Sequence, residues 1–507
     1  MLLFLPHLIL GATLLILIAS NTFQRGFRSS WLLTTVGAGL ALATLIFLRF
    51  RLPIALDSSA WWAGEGLVSS TNFRLDAISW QFALIVCSLA LAFFLIQVHK
   101  AVNEPWLTWA VSLALAGSSL LALVSNDLLT FAFLWILVDA ITALWLLRLS
   151  TKATERSGAF DFLLPNVTAS FLLMAASVLA GYGSNAANLL IFIAAALRLE
   201  LLTPRLKIIQ SDQQSDRESV LRLLPKASVF VLLTRLTAFS GIMLFVALIF
   251  ISLFVLINVL HWLQKNSHSG IEYFELGFAA LALLASALGQ PGAALAYGLF
   301  ALVGGSVLHL AQNAGRFRWL VIAPSALILA SLPFSQILPT EQAGPGWLVI
   351  FFLPLQALLI AGWMRKTPEP SQDEPFGEPW MRSISWLGII VIPVIFLIFI
   401  LVSPPSLAQE TNFTWLPAAG VFILTLVSAF FLNSSQLNLN LPANWSNFFQ
   451  EVLSMAWLKA IGLAILSALD WTLRMMNRVL EGQAGILWAL LLIALLLSVA
   501  SQVALGG

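Results

Sequence analysis

The sequence predicts an all-α fold: a polytopic transmembrane helix bundle of about 14–16 spans, with a broken helix near 186–208. Three observations carry this. The 507 residues are 60% hydrophobic and only 9% charged, against roughly 25% charged in a soluble domain. Apolar runs of about 20 residues, the length that crosses a bilayer as a helix, recur along the whole chain. The alternating segments of about ten residues that build a membrane barrel are absent from the sequence.

Candidate spans run near 2–20, 31–48, 78–98, 105–124, 127–147, 160–181 and 186–202. Further ones lie near 219–237, 240–263, 274–290, 292–311, 319–337, 346–363, 384–402, 414–432 and 485–504. The opening MLLFLPHLILGATLLILIAS lacks a basic leading region and a small-residue cleavage pattern, so it reads as a first span. Residues 1–70 form N-terminal spans and an extracytoplasmic loop, 71–365 a core, and 366–507 a C-terminal part.

Lys and Arg in short loops orient the spans. With the N-terminus outside, the cytoplasmic loops hold Arg25, Lys100, Arg148, Arg205, Lys265, Arg316 and Arg365, among others. The opposite loops are poor in basic residues, except 49–77, which carries Arg49, Arg51 and Arg74. The expected location is a prokaryotic cytoplasmic membrane.

Polar stretches are short. QSDQQSDRES (210–219) is a loop, and RKTPEPSQDEPFGEPW (365–380) is a linker marked by prolines and acids. Neither has room for a soluble catalytic domain, and no P-loop, dinucleotide fingerprint or HExxH motif occurs. The single cysteine, Cys87, argues against disulfides and cysteine-held metal centres. No cofactor, metal or nucleic acid is expected. Transport within the membrane is the natural class, with the lipid bilayer as surroundings.

Charges at bilayer depth are costly and mark function by default. Asp139 lies near the middle of FAFLWILVDAITALWLL; it reads as a proton-carrying carboxylate or as a structural contact between helices. Arg198 and Glu200 lie late in a span, shortly before the helix-breaking Pro204. Residues two apart do not share a helix face, so they need not pair. Arg198 either works inside the bundle or snorkels to the interface with Arg205 and Lys207. Lys226 follows Pro225 near the start of the next span, and Arg235 sits near its other end. A desolvated lysine can give up its proton, which makes Lys226 a relay candidate alongside a snorkelling reading. His309, near a cytoplasmic span end, reads as a structural group or a relay. Asp76 and Asp127 precede spans and fit helix capping.

Several stretches, in order, resemble the antiporter-like membrane subunits shared by respiratory complex I, membrane-bound hydrogenases and multi-subunit sodium/proton antiporters. FRLDAISWQFALIVCSLAL resembles that family's F-x-L-D-x-x-S start of the third span. LALVSNDLLTFAFLWILVDAITALWLL resembles its S-N-D-L-L…F-x-W-E fifth span. ALRLELLTPRL and LRLLPKASVFVLLTRL resemble the broken seventh helix and the eighth, and ILASLPFSQILPT resembles the break in the twelfth. The resemblance covers roughly 70–365.

The chain departs from that pattern at the relay. The glutamate expected after Trp135 is Ile136, and Asp139 follows three residues later, on the same helix face. The seventh-span lysine is Arg198, and arginine does not release a proton. The eighth-span histidine and lysine positions fall near Leu221 and Ala227, with Lys226 one residue off. The eleventh-span lysine is Ala301.

In the C-terminal part, 444–481 is a mixed segment with Glu451, Lys459, Asp470, Arg474 and Arg478, and Asp470 and Arg474 have helix-pair spacing. It reads as an interfacial or lateral helix, or as one more span.

The resemblance implies a membrane subunit of a larger complex with other membrane subunits as partners. It would translocate protons, or sodium and protons, coupled to an NADH:quinone oxidoreductase-like or related redox complex, with no redox chemistry of its own. The alternatives are a non-translocating structural subunit with a degenerate relay, or a membrane subunit of an inorganic-carbon uptake system.

Overall fold

The computed structural model describes residues 2–23, 29–58, 71–100, 105–149, 153–180, 185–201, 220–264, 267–311, 347–366, 379–402 and 423–430, with Ser467, Trp471, Arg474 and Met475. The chain divides into two compact units, one of Met1–Leu202 with Leu206–Pro442, the other of Thr203–Arg205 with Ala443–Gly507. All elements below belong to the first. Of the second, the four single residues described are helical and exposed. The expected break in span 319–337, the second half of the broken seventh helix and the Asp470–Arg474 pairing lie outside the described residues.

Helices follow the predicted spans. They are α1 (Leu5–Phe23), α2 (Ser30–Leu48), α3 (Ala77–Ile96), α4 (Trp106–Leu123), α5 (Leu128–Leu149) and α6 (Ala153–Ala180). Next come α7 (Asn185–Arg198), α8 (Leu223–Thr234), α9 (Gly241–Gln264), α10 (Ser267–Ala287) and α11 (Pro291–Ala311). Two more, Trp347–Lys366 and Pro379–Val402, complete the set used here. Eight described helices are long and apolar enough to cross a bilayer.

The all-α expectation needs one addition. The loop at 49–77 contains an antiparallel pair, β1 (Ile54–Ser58) and β2 (Thr71–Leu75), with Ile54 opposite Leu75. Its second strand is tied to the bundle: Arg74 N–H donates to the Val124 carbonyl at 2.7 Å, and Phe73 bridges to Ser125. Short strands satisfy their backbone groups by pairing, so two five-residue runs need no long hydrophobic pattern to form.

Local chemistry fixes the helix ends. Asp76 caps α3 through a capping box in which its carboxylate accepts from Ser79 N–H at 2.8 Å and Ser79 Oγ accepts from Asp76 N–H at 3.0 Å. Asp127 accepts from Thr130 N–H at 3.1 Å ahead of α5. Both acids are caps, as their positions predict. Pro225 falls in the first turn of α8, where its missing N–H breaks no intrahelical bond.

Helices α3, α8, α10 and α11 form the interior and are buried along most of their length. Helix α8 packs on α3, α4, α7, α10 and α11, and α5 packs on α4 and α6. The outer helices α1, α6 and α9 turn Leu15, Phe171, Phe245 and similar side chains outward, which is the surface a bilayer covers. Tryptophan indoles tie neighbours together: Trp80 donates to the Leu45 carbonyl at 2.7 Å and Trp262 to the Leu359 carbonyl at 2.9 Å. An indole N–H in an apolar interior gains from such a partner. Many Ser and Thr hydroxyls donate back into their own helices, as Thr142 does to the Val138 carbonyl at 2.7 Å, which spares a bare donor in an apolar medium.

Candidate functional site

Asp139 lies in the middle of α5 and is 4% exposed. Arg198, the last residue of α7, is equally buried. Its guanidinium meets the carboxylate with both ends, Nη2 donating to Oδ1 at 2.7 Å and Nη1 to Oδ2 at 3.0 Å. Nη2 also donates to the Trp135 carbonyl at 3.2 Å, and the guanidinium lies over the Trp135 ring at 4.4 Å. Trp135 is held in turn: its indole donates to Ser228 Oγ of α8 at 2.9 Å. Two-pronged arginine–carboxylate contact is the strongest form of this pair.

The helical displacement is thus resolved. Asp139, three residues beyond the expected position, still reaches the cation of α7. Arg198 points into the bundle and does not snorkel.

Helix α7 ends by a reversal in which Glu200 N–H donates to the Leu197 carbonyl at 3.0 Å and Leu201 N–H to the Ala196 carbonyl at 2.9 Å. Such an end requires a left-handed residue, usually glycine. Helix α10 ends in the same bond pattern, with Gly289 at φ 70°. In α7 the position is held by Glu200, at φ 62°. A side chain there costs roughly 1–2 kcal/mol.

What Glu200 gains is a cation. Its Oε2 lies 3.4 Å from Lys226 Nζ, in the first turn of α8. Arg198 and Glu200, two apart, therefore serve different partners on different helices. Glu272 and Glu275 of α10 also act on the Lys226 charge.

His309 of α11 meets an acid that the sequence candidates did not include. Its Nε2 is 3.0 Å from Oε1 of Glu275, and the two residues are 5% and 7% exposed. Glu275 sits inside the predicted span 274–290, and an acid in a span is itself the signal that finds it. Gly305, one turn before His309, makes room: a Cβ there would collide with Cγ and Oε1 of Glu275.

Arg235, at the end of α8, joins none of these pairs. Its Nη1 donates to the Ser125 carbonyl at 2.7 Å and its Nη2 lies 3.7 Å from Asp76. It also sits over the Phe131 ring at 5.9 Å. Asp76 thus has a second use beyond capping. With Glu275 and Asp76 added, the six sequence candidates fall into four pairs: Asp139–Arg198, Glu200–Lys226, Glu275–His309 and Asp76–Arg235. Among the described residues, no group of three His, Cys, Asp or Glu could hold a metal ion.

No family model matches the sequence, and no curated protein matches it. Solved structures do. The fold is similar to a chain of the membrane-bound sulfane sulfur reductase, an archaeal respiratory membrane complex, at 15% identity and a TM-score of 0.62, over 98% of this chain and 100% of that one. It is also similar to a chain of the Mrp complex from Dietzia sp. DQ12-45-1b, at 14% identity and a TM-score of 0.53, over 99% of this chain and 63% of that one. A chain of respiratory complex I from Thermus thermophilus aligns at 16% identity and a TM-score of 0.48, over 86% of this chain and 98% of that one. The first two fix the architecture. The chain is an integral membrane protein with the fold of the antiporter-like membrane subunits that its motifs resemble.

Proposed function

We propose that the chain translocates protons, or exchanges sodium for protons, as one membrane subunit of a larger complex whose redox or partner chemistry resides in other subunits. The observation that carries this reading is the series of acid–base pairs linking α5, α7, α8, α10 and α11, of which Asp139–Arg198 and Glu275–His309 are buried. Ionised groups in a bundle interior are expensive and persist where they serve ion movement. The pairs also alternate acid and base, so a change of charge on one biases its neighbour. The similar chains support a complex: one is part of a respiratory membrane complex, another of the Mrp complex. The lead version couples translocation to an NADH:quinone oxidoreductase-like complex in a prokaryotic cytoplasmic membrane, with the N-terminus outside. In that orientation Lys226 and His309 lie toward the cytoplasm and the Asp76–Arg235 pair toward the exterior.

A second reading, a structural subunit with a spent relay, is favoured by one observation. Arg198 holds Asp139 with two bonds and keeps its proton. Flux decides. The full chain is reconstituted in proteoliposomes, a potassium diffusion potential is imposed, and an internal dye reads pH. Asp139→Asn and Lys226→Met are each expected to reduce proton flux at least tenfold. Flux at the level of the unmutated chain in both variants assigns these groups a structural role and overturns the reading.

A further inference from the structure

Asp139 and Glu275 are the buried carboxylates among the described residues. The first is neutralised by an arginine. The second hydrogen-bonds the ring of His309, a side chain type that both accepts and donates protons, and acts through its charge on Lys226. We propose that Glu275 is a proton-exchanging residue of the path, acting as a dyad with His309 and coupled by charge to Lys226. This rests on the translocation reading above and adds to it a residue and a direction of transfer.

The geometry is specific. Nε2 of His309 and Oε1 of Glu275 share a hydrogen bond of 3.0 Å inside the contact between α10 and α11. The opposite ring nitrogen, Nδ1, is buried and has no hydrogen-bond partner among the described residues. A buried polar atom left bare is costly and calls for a water or a transferable proton. An imidazole with one nitrogen on a carboxylate and the other open is arranged to pass a proton through its ring. Gly305 brings the carboxylate against the α11 backbone, where a side chain would displace it.

The groups around Glu275 define what it senses. Lys226 comes from α8 and Glu272 from its own helix, and Glu200 of α7 reaches the same lysine. His261 of α9 lies against Tyr273 at 5.1 Å, two residues before Glu275 on α10. Transfer runs as follows. A proton arrives at Nδ1 of His309, and the Nε2 proton passes to Oε1 of Glu275. The ring is left neutral with its proton on Nδ1, and the carboxylate becomes a carboxyl that holds the proton in transit. The net change is one added proton. Lys226 then has one fewer carboxylate attracting its ammonium, so loading the dyad loosens the proton on the next carrier.

The test uses the same proteoliposomes with the full chain. Glu275→Gln, matched to the unmutated chain in melting midpoint, is expected to lose flux at least tenfold. Glu275→Asp is expected to keep flux within about threefold with a displaced pH profile, which a purely structural acid would not give. Full flux in Glu275→Gln, with Lys226→Met silent, overturns the dyad and leaves the translocation reading standing. Absence of flux from the unmutated chain above that of empty liposomes overturns both. Where Glu275→Gln fails to fold, His309→Gln carries the test, and full flux in that variant overturns the dyad.

Discussion

Two ion pairs start from residues two apart in sequence, Arg198 and Glu200, and behave as opposites. Asp139–Arg198 is sealed: both partners are 4% exposed, and the guanidinium makes two bonds to the carboxylate, one to a carbonyl and a contact with an indole face. Glu200–Lys226 is open: the contact is a single 3.4 Å approach, and the glutamate side chain is 35% exposed. One cation cannot release its proton and the other can. The contrast separates two tasks that a uniform row of lysines would combine. The arginine fixes a negative charge inside the bundle and holds α5 to α7, while the lysine stands between carboxylates that can change charge.

The largest expected effect tests the sealed pair. Arg198→Met leaves Asp139 without its cation and is expected to cost about 3–5 kcal/mol, because a buried charge then stands alone. Adding Asp139→Leu removes that charge and is expected to recover most of the loss. Thermal or denaturant unfolding of the full chain in lipid or detergent measures both. A double variant no more stable than the single one would show that the two residues are not coupled.

Gly305→Ala is next. The added methyl meets Glu275, and overpacking of this kind costs about 1–3 kcal/mol. Proton flux is expected to fall with stability, since the carboxylate leaves His309. Loss of stability at unchanged flux would place Gly305 in packing alone.

Lys226→Met is expected to cost only about 1 kcal/mol, since its partner is about one third exposed and such pairs are weak. Flux is nevertheless expected to collapse. A small change in the melting midpoint alongside a large change in flux is the signature of the open pair; the sealed pair gives the reverse weighting.

The fold was largely legible because hydrophobic runs of bilayer length need no knowledge of neighbours. Asp76 and Asp127 were readable as caps for the same reason, since capping is local. The strand pair was not, because its register depends on backbone contacts with Val124 and Ser125 far along the chain. Site residues were legible one at a time by the cost of charge in an apolar run. Their pairing was not. Asp139 meets Arg198 across 59 positions, and nothing in either local sequence names the other. Glu275 was legible in the same way, as an acid inside the span 274–290, but its partner His309 lies 34 positions away and only the packing of α10 on α11 brings the two together.

The smallest effect concerns the backbone of Glu200, and it is the sharpest comparison. Glu200→Gly removes both the carboxylate and the left-handed penalty, whereas Glu200→Gln removes the charge and keeps the penalty. The glycine variant is expected to be more stable than the glutamine variant by about 1 kcal/mol, as at the matching end of α10, where Gly289 already stands. Both are expected to lose flux, because Lys226 loses its nearest acid in each. That outcome would mean a helix end is held in a strained conformation for the sake of the charge it presents. Equal stability of the two variants would remove the strain from the account and leave Glu200 as an ordinary helix terminus that happens to lie near a lysine.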